Sequence, residues 1–348
     1  MYDFAHCLSD AIEGITHSLC TLEFEVHRPL YDWFLEHLAI PQPRPQQIEF
    51  APLNISHTLL SKRKLKYLIE KNIIDGWDDP RIATIAALRR RGYTPTSIRN
   101  FCKSIGVTKV VSSIDRSRLE EMLRQDLNAS ADRVMVVLDP ILLKIVNYPE
   151  GKEEEFIVSN NPEQEDSPAH CVRFSRNLYI ERDDFLEHAP KNFFRLSVGR
   201  EVRLKHAYYI TCTNIIKDVE GNIVEIHAEY DPCSYKGQSP DGRKVKGTLH
   251  WVSVEHAVDV AIDAYEELFE HKNPEQIEIE ELLDAVNPNS YQPIRGAKAE
   301  SFILELLHRK AVQFLRKGYY IYDETASKQS KQPHFIHTVS LKEGWKPK

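Results

Sequence analysis

The spacing of apolar and polar residues changes twice along this chain, and each of the three patterns predicts a different kind of region. Within residues 1–60, Arg28 opens a stretch of helical spacing that carries a proline in its first turn. Three prolines between positions 41 and 45 then predict an extended linker, and residues 47–54 are typical of a strand. Because a parallel sheet needs several βα units and only one or two fit here, these residues predict an incomplete part of an α/β domain.

The pattern changes to helical spacing over residues 61–130. Apolar positions recur every three or four residues over 80–88, and basic residues at 89–91 close the predicted helix. A second helix is predicted to begin at a cap, Thr94 or Thr96, and to stop at Gly106. A third is predicted over residues 118–127.

From about residue 132, short apolar runs alternate with glycine, asparagine, aspartate and proline. This spacing is typical of β-barrels or sandwiches, and residues 219–222 predict the turn of a hairpin. Two segments interrupt the strands: a predicted helix at about 275–285, and an acidic stretch at 149–168 that we expect to be a mobile loop. The chain is therefore expected to combine an α/β part, a helical part and an all-β part.

Composition and charge narrow the class of protein. The chain has 348 residues, enough for two or three domains, of which 42% are apolar and 28% charged. That balance excludes a collagen-like, disordered or disulfide-stapled chain. The net charge of −7 argues against a small basic nucleic-acid-binding protein, but it leaves room for local basic patches, which are what an RNA contacts.

Three sequence features bear on the compartment. No apolar stretch approaches the roughly 18 residues that a membrane-spanning helix needs, and the first residues lack the basic and apolar parts of a signal peptide. Six cysteines are scattered without a paired motif. We therefore expect reduced thiols, a cytoplasmic location and no contact with a membrane.

The segment Leu60-Ser61-Lys62-Arg63-Lys64-Leu65 is the most specific chemical feature. Its three consecutive cations suit a polyphosphate and the charge that builds on non-bridging oxygens during reaction. A run of surface cations is more often simply solvated, so the segment alone leaves both interpretations open. A zinc site made of His6, Cys7, His17 and Cys20 is disfavoured, because their spacing matches no common zinc pattern.

The same segment resembles the Lys-Met-Ser-Lys-Ser signature of class I aminoacyl-tRNA synthetases, in the Met-Ser-Lys-Arg-Lys form typical of the glutaminyl-tRNA synthetase family. Leu60 stands where that form has methionine, a swap that conserves volume. Further stretches resemble the family in the same order, from Met1 to about Trp345. They are Tyr2-Asp3-Phe4-Ala5-His6-Cys7, residues 10–24, Gly76-Trp77-Asp78-Asp79-Pro80-Arg81, Leu88-Arg89-Arg90-Arg91-Gly92 and Asp241-Gly242-Arg243-Lys244-Val245-Lys246-Gly247.

The resemblance begins inside the family's pattern, because the family has its His-Ile-Gly-His ATP motif, the first half of its Rossmann fold and its acceptor-end domain upstream of the segment matching Tyr2. Neither a GxGxxG nor a Walker motif replaces them. The implied fold class is multidomain α/β plus all-β, the C-terminal portion of such an enzyme. Its expected parts are a remnant of the Rossmann-type catalytic domain (1–60), the signature loop with a helical, stem-contacting connecting domain (61–131), a proximal anticodon-binding β-barrel (132–187 with 268–345) and a distal one (188–267).

The resemblance also implies roles in activating glutamine. Lys62 would neutralise the phosphates of ATP while glutamine attacks the α-phosphate, and Ser61 and Lys64 would support the loop. ATP is then a substrate, and Mg²⁺ shares the phosphate charge. We expect catalysis by positioning and electrostatics rather than by an acid–base triad.

For the amino acid, the resemblance implies a pocket that holds a neutral amide between rigid donors and acceptors. The lining residues would be Tyr2, His6 and Gln47, with Cys20 and Phe24 behind them. Without the resemblance, each of these side chains is more often a structural residue.

For the tRNA, the resemblance implies base readout by the two barrels. Arg133 with Gln313 and Arg316 would contact the middle anticodon base, and Arg195 with Lys205 the first. Lys205 stands where the family often has arginine, which weakens the case for bidentate recognition there.

Two further tRNA contacts are open to a structural interpretation. Phe314 offers a stacking surface for a base. Arg89, Arg90 and Arg91 either contact phosphates at the inner corner of the tRNA or stabilise a helix end.

Two hypotheses remain. One is a monomeric, ATP-dependent glutamine–tRNA ligase to which this chain supplies the signature-loop lysine and anticodon recognition. The alternative is a non-catalytic fragment that binds the anticodon but cannot activate glutamine alone. The related glutamyl enzyme is disfavoured, because its family generally has a helical anticodon domain whereas residues 132–345 are predicted to be β.

Overall fold

The computed structural model describes residues 2–307 and 311–342. Met1, Trp345 and the predicted barrel end at 343–345 lie outside the described residues. The described part contains helices whose bounds are α1 (Tyr2–Glu13), α2 (Arg28–His37), α3 (Lys62–Glu70), α4 (Ile85–Arg90), α5 (Pro95–Ile105), α6 (Arg116–Ser130) and α7 (Glu324–Ser330). None of the helices in these residues is long and apolar enough to cross a membrane.

The N-terminal region contains one βαβ unit. Strands β1 (His17–Thr21) and β2 (Gln46–Phe50) are parallel, and α2 lies in the connection between them. A parallel pair requires such a crossover. Cys7 of α1 and Leu35 of α2 are buried against each other's helix, which confirms that this region is part of an α/β domain.

The helical region follows the local signals of the sequence closely. Thr94 caps α5 by accepting a hydrogen bond from the backbone N–H of Ser97, and Gly106 ends the helix at φ 75°. The helix predicted over 80–88 is shorter than expected. The Thr84 hydroxyl accepts the N–H of Ala87 and sets the first helical residue at Ile85.

The first of two seven-stranded sheets curls into a barrel. Its order is β14, β11, β12, β13, β7, β10, β15, so β14 and β15 form its edges. Only His250 and Trp251 separate these edges along the chain, so the two ends of the sheet meet. The strands are β7 (Pro140–Ile145), β10 (Asn177–Glu181), β11 (Glu201–Leu204), β12 (Tyr209–Lys217), β13 (Ile223–Asp231), β14 (Thr248–Leu249) and β15 (Val252–Ser253).

The second sheet closes in the same way. Its order is β5, β18, β19, β20, β16, β17, β6, and Met135 alone separates the two edge strands. Each barrel encloses its own apolar core, one around Trp251 and one around Phe335. The strands are β5 (Arg133–Val134), β6 (Val136–Val137), β16 (Val258–Tyr265), β17 (Tyr291–Ala299), β18 (Val312–Phe314), β19 (Gly318–Tyr322) and β20 (His334–Ser340).

The two barrels confirm the all-β expectation, whereas the bounds proposed for the functional domains stay a prediction. Strand pairing places 140–145 and 177–181 in one sheet with strands from 201–253, and it places Val258–Tyr265 in the other sheet. The hairpin turn expected at 219–222 joins β12 to β13.

Two other expectations from the sequence are wrong. The acidic stretch 149–168 contains β8 (Glu154–Ser159), which pairs with β9 (Ala169–Phe174) because Phe156 is buried in the first barrel's core. Residues 275–285 form a 3₁₀ turn (Pro274–Gln276) and further turns instead of an α-helix. There, burial of Leu282 against the helical region outweighs helical spacing. A short parallel pair, β3 (Asn54–Ile55) with β4 (Ser113–Ile114), completes the strands.

Candidate functional site

The signature loop places its cations at the positive end of a helix. Lys62 is the first residue of α3, and Lys62 and Arg63 are both exposed. Cations are normally disfavoured in the first turn, because the unpaired N–H groups already carry partial positive charge. The residues described give Lys62 no ion-pair partner. This end of α3 is therefore positively charged, and a contact between Lys62 and a phosphate stays a prediction.

The residues predicted for the glutamine pocket come together around one small cavity. Tyr2, His6, Phe24 and Gln47 all line it, and the rings of His6 and Phe24 each lie 5.3 Å from the ring of Tyr2. Tyr2 itself is 55% exposed and forms the rim.

Polar contacts fix the orientation of this cavity's side chains. His6 Nε2 lies 2.8 Å from the hydroxyl of Ser18 and 3.2 Å from Asp10. The Gln47 amide donates to the carbonyl of Phe24 and to the carboxylate of Glu49, at 2.9 Å each. These contacts hold the donors and acceptors in fixed positions, and recognition of a neutral amide by this cavity stays a prediction.

Cys20 is placed beside this cavity rather than in its lining. It is buried on β1, paired in register with Glu49 of β2. Burial raises the pKa of its thiol, and the neighbouring Glu49 carboxylate raises it further. A neutral thiol packed behind the cavity is consistent with the supporting position expected for it.

The three arginines at 89–91 differ in their surroundings. Arg89 is exposed, and Arg90 lies between Asp78 at 3.4 Å and Asp323 at 3.2 Å. Arg91 is buried and donates to the backbone carbonyls of Pro80 and Tyr265. A phosphate contact by Arg91 is therefore wrong, because its side chain is buried and both of its terminal nitrogens donate to backbone carbonyls inside the protein.

The residues expected to read the middle base meet at a strand pair. Arg133 of β5 lies opposite Gln313 of β18 in parallel register. The amide of Gln313 donates to the Tyr319 hydroxyl at 3.0 Å, and Arg133 Nη2 lies 3.3 Å from Asn128 and 3.3 Å from Glu163. One polar cluster thus connects both candidate residues.

Asp184 holds two of the other candidate arginines. Arg316 donates to both of its carboxylate oxygens at 2.6 and 2.7 Å, and Arg195 Nε lies 3.3 Å from one of them. Arg316 lies in the turn after β18, with φ 69°. This left-handed conformation is costly for arginine, and the bidentate pair with Asp184 stabilises it.

A cavity between the barrels brings cations of both together. Arg133 and Lys205 line it, together with Pro162, Leu315 and His206, a histidine whose pKa is lowered to about 4 by burial and by the neighbouring Lys205. Burial lowers the pKa of Lys205, and the positive charges of Arg203, Arg133 and Arg316 lower it further. No carboxylate of the described residues forms an ion pair with Lys205. Arg133 is paired with Glu163, and the buried Glu300 also lines the cavity, so Lys205 is the lining cation without an ion-pair partner among the described residues. Such a cation favours an electron-rich ligand such as a nucleotide base or phosphate.

The exposed aromatic residue Phe194 was overlooked in the sequence, where Phe314 was expected instead to stack on a base. Phe314 is fully buried and stacks on Tyr320 at 3.9 Å, so its expected contact with a base is wrong. Phe194 is 53% exposed and adjoins Arg195, with Lys246 lying over its ring. An aromatic residue directly before a candidate base-reading arginine was the signal available in the sequence.

A second acidic residue at the barrel interface leads to a prediction of pH dependence. Glu181 is buried and accepts from Lys317 at 3.1 Å, in the turn after β18, while His250 lies at 3.4 Å. Burial alone would raise the pKa of Glu181, but the contacts with His250 and Lys317 outweigh it and hold this pKa at about 2.

The Glu181 carboxylate should therefore stabilise the fold above pH of about 4.5, where it is ionised even when unfolded, and lose this effect as pH falls toward about 2. Its contribution is roughly 2–3 kcal/mol. Urea unfolding of the wild type and Glu181→Gln at pH 6 and pH 3 should show a stability gap that narrows at pH 3. A gap independent of pH would contradict the assignment.

The chain matches three known protein families, which together cover most of its length. Residues 1–129 match the family described as tRNA synthetases class I (E and Q), catalytic domain. Residues 131–231 and 248–323 match two families that are each described as tRNA synthetases class I (E and Q), anti-codon binding domain. The chain therefore belongs to the class I tRNA synthetases of the E and Q type.

Within that class, the similar curated proteins are glutamine–tRNA ligases. The protein of Clostridium kluyveri is 51% identical over 346 residues, which cover 99% of this chain and 62% of that protein. The proteins of Clostridium perfringens and Pseudomonas putida are 49% and 48% identical, covering 100% and 99% of this chain and 62% and 60% of those proteins. The chain thus spans about three fifths of the length of the curated relatives it matches.

Proposed function

We propose that this chain is the signature-loop and anticodon-binding portion of a glutamine–tRNA ligase, which joins glutamine to its tRNA through glutaminyl-adenylate. The main support is the match of both barrels to anticodon-binding families, together with the cavity between them that Lys205 lines without an ion-pair partner among the described residues. The 51% identity with a glutamine–tRNA ligase favours glutamine over glutamate. The partners are then tRNA, glutamine and ATP, and we expect a monomer.

The amino-acid and ATP steps fall to the N-terminal part of the chain. The cavity lined by Tyr2, His6 and Gln47 would hold the glutamine amide. Lys62 would neutralise charge on the non-bridging oxygens of ATP as the glutamine carboxylate attacks the α-phosphate and pyrophosphate leaves. Ser61 and Lys64 would support the loop, and Mg²⁺ bound with ATP would share the phosphate charge.

A second candidate function is anticodon binding without activation of glutamine. The observation that favours it is that residues 131–231 and 248–323, about half of the chain, match anticodon-binding families. A cytoplasmic location remains a proposal supported by the six cysteines, all of which are free thiols.

Base readout is testable at Arg195, which is about one third exposed. Arg195→Ala should weaken discrimination at the first anticodon base by about 1–3 kcal/mol, by analogy with bidentate base readout. The measurement is binding of the chain to the glutamine tRNA and to a variant changed at that base, at constant salt. Arg182→Ala, an exposed arginine on the same barrel, is the control. An unchanged preference in Arg195→Ala would contradict base readout.

A further inference from the structure

One contact of the signature loop comes from a distant part of the chain. The carboxylate oxygen Oε1 of Glu275 accepts the backbone N–H groups of both Leu60 and Ser61, at 2.6 and 2.8 Å. The backbone carbonyl of Glu275 accepts Lys64 Nζ at 2.6 Å. Glu275 lies in the turn that follows β16 and precedes β17 of the second barrel.

This contact acts where the loop would otherwise be weakly held. Leu59 and Leu65 flank the cations and are buried with Leu268, Phe269 and Leu282, so both ends of the loop are anchored to the segment around Glu275. Between these anchors, Ser61 makes no side-chain cap of α3. The three cations repel one another at this positive helix end, so the position of the loop between its anchors depends on the two hydrogen bonds to Glu275.

We infer that Glu275 is a positioning residue for the signature loop, holding Leu60 and Ser61 so that Lys62 faces the site of ATP. The inference rests on the proposed function for the role of Lys62, whereas the position of the loop is independent of it. Both N–H groups bind the same oxygen, and Oε1 is also present in glutamine. Glu275→Gln keeps this oxygen and loses the charge, whereas Glu275→Ala loses both. Comparing the two variants therefore separates the effect of the hydrogen bonds from the effect of the charge.

The loop's position is measurable on this chain with trypsin, which cleaves after Lys62, Arg63 and Lys64. Glu275→Ala should increase the rate of cleavage at these bonds about tenfold, because two backbone hydrogen bonds are lost. Glu275→Gln should stay within about twofold of the wild type. Glu280→Ala removes an exposed glutamate from the same segment and is the matched control.

A second readout links this position to chemistry. In a protein of the relatives' full length that carries this chain, Glu275→Ala should lower kcat of glutamine-dependent ATP–pyrophosphate exchange about tenfold, with KM for glutamine unchanged, and Glu275→Gln should restore it. Unchanged cleavage in Glu275→Ala would overturn the inference, and so would a Glu275→Gln variant as labile as Glu275→Ala. Faster cleavage with an exchange reaction insensitive to Lys62→Ala would retain the positioning role and contradict the proposed function.

Discussion

Replacing Lys62 by alanine should abolish formation of glutaminyl-adenylate while leaving affinity for tRNA largely intact. Lys62 is exposed at the N-terminus of α3, where the helix and its neighbouring cations attract an anion. Removing a group that stabilises developing charge typically lowers kcat by about 10²–10³-fold. The measurement is glutamine-dependent ATP–pyrophosphate exchange in a protein of the relatives' length that carries this chain, with tRNA binding measured alongside.

Lys66→Ala provides the matched control for that experiment. Lys66 lies on the same helix, is 68% exposed and pairs with Glu70 at 3.6 Å, so its loss removes equal charge away from the loop. We expect it to retain exchange within about twofold, as surface ion pairs contribute little. Equal loss of exchange and tRNA affinity in Lys62→Ala would show that the residue maintains structure rather than binding phosphate.

The second large effect is expected at Asp184. Its side chain is 2% exposed and pairs with Arg316 across the two barrels as well as with Arg195. Asp184→Ala leaves two neighbouring cations without their shared carboxylate, and breaking such a pair costs about 3–5 kcal/mol when it is fully buried. Because both arginines are about one third exposed, we expect a loss of about 2–4 kcal/mol in the free energy of unfolding.

Urea unfolding checks this stability effect, with Asp183→Ala as the control. Asp183 is the exposed neighbour, and only its backbone carbonyl contacts Arg195. The Asp184→Ala variant should also lose anticodon discrimination, because Arg195 and Arg316 are no longer held. Equal stability of the two variants would contradict the role given to Asp184.

Local features of the fold could be predicted from the sequence because their causes lie within a few residues. The Thr94 cap and the Gly106 stop define α5 through contacts inside one helix. The spacing of the strands left barrels and sandwiches open, and only the resemblance predicted barrels. The pattern could not show how the sheets close, since the edge strands β5, β6, β14 and β15 have two residues each and show no periodicity.

The candidate site also divides into residues that could be predicted from the sequence and residues that could not. Tyr2, His6 and Gln47 were predicted by resemblance, and the structure gathers them around one cavity. Asp184 and Glu275 were not predicted, because their hydrogen-bond partners are distant in the sequence. Arg316 lies 132 residues from Asp184, and Leu60 lies 215 residues from Glu275. Nothing local distinguishes either carboxylate from the chain's many surface carboxylates.

The most direct test of the central claim is binding of the purified chain to a glutamine tRNA, the partner proposed for it, compared with the same tRNA changed at the middle anticodon base. The two tRNAs are measured at one fixed salt concentration, because phosphate contacts dominate affinity and depend on salt. Arg133 and Gln313 should make the altered tRNA bind at least about tenfold more weakly, the cost of one mismatched base. Equal affinity for both tRNAs would contradict anticodon recognition by these barrels.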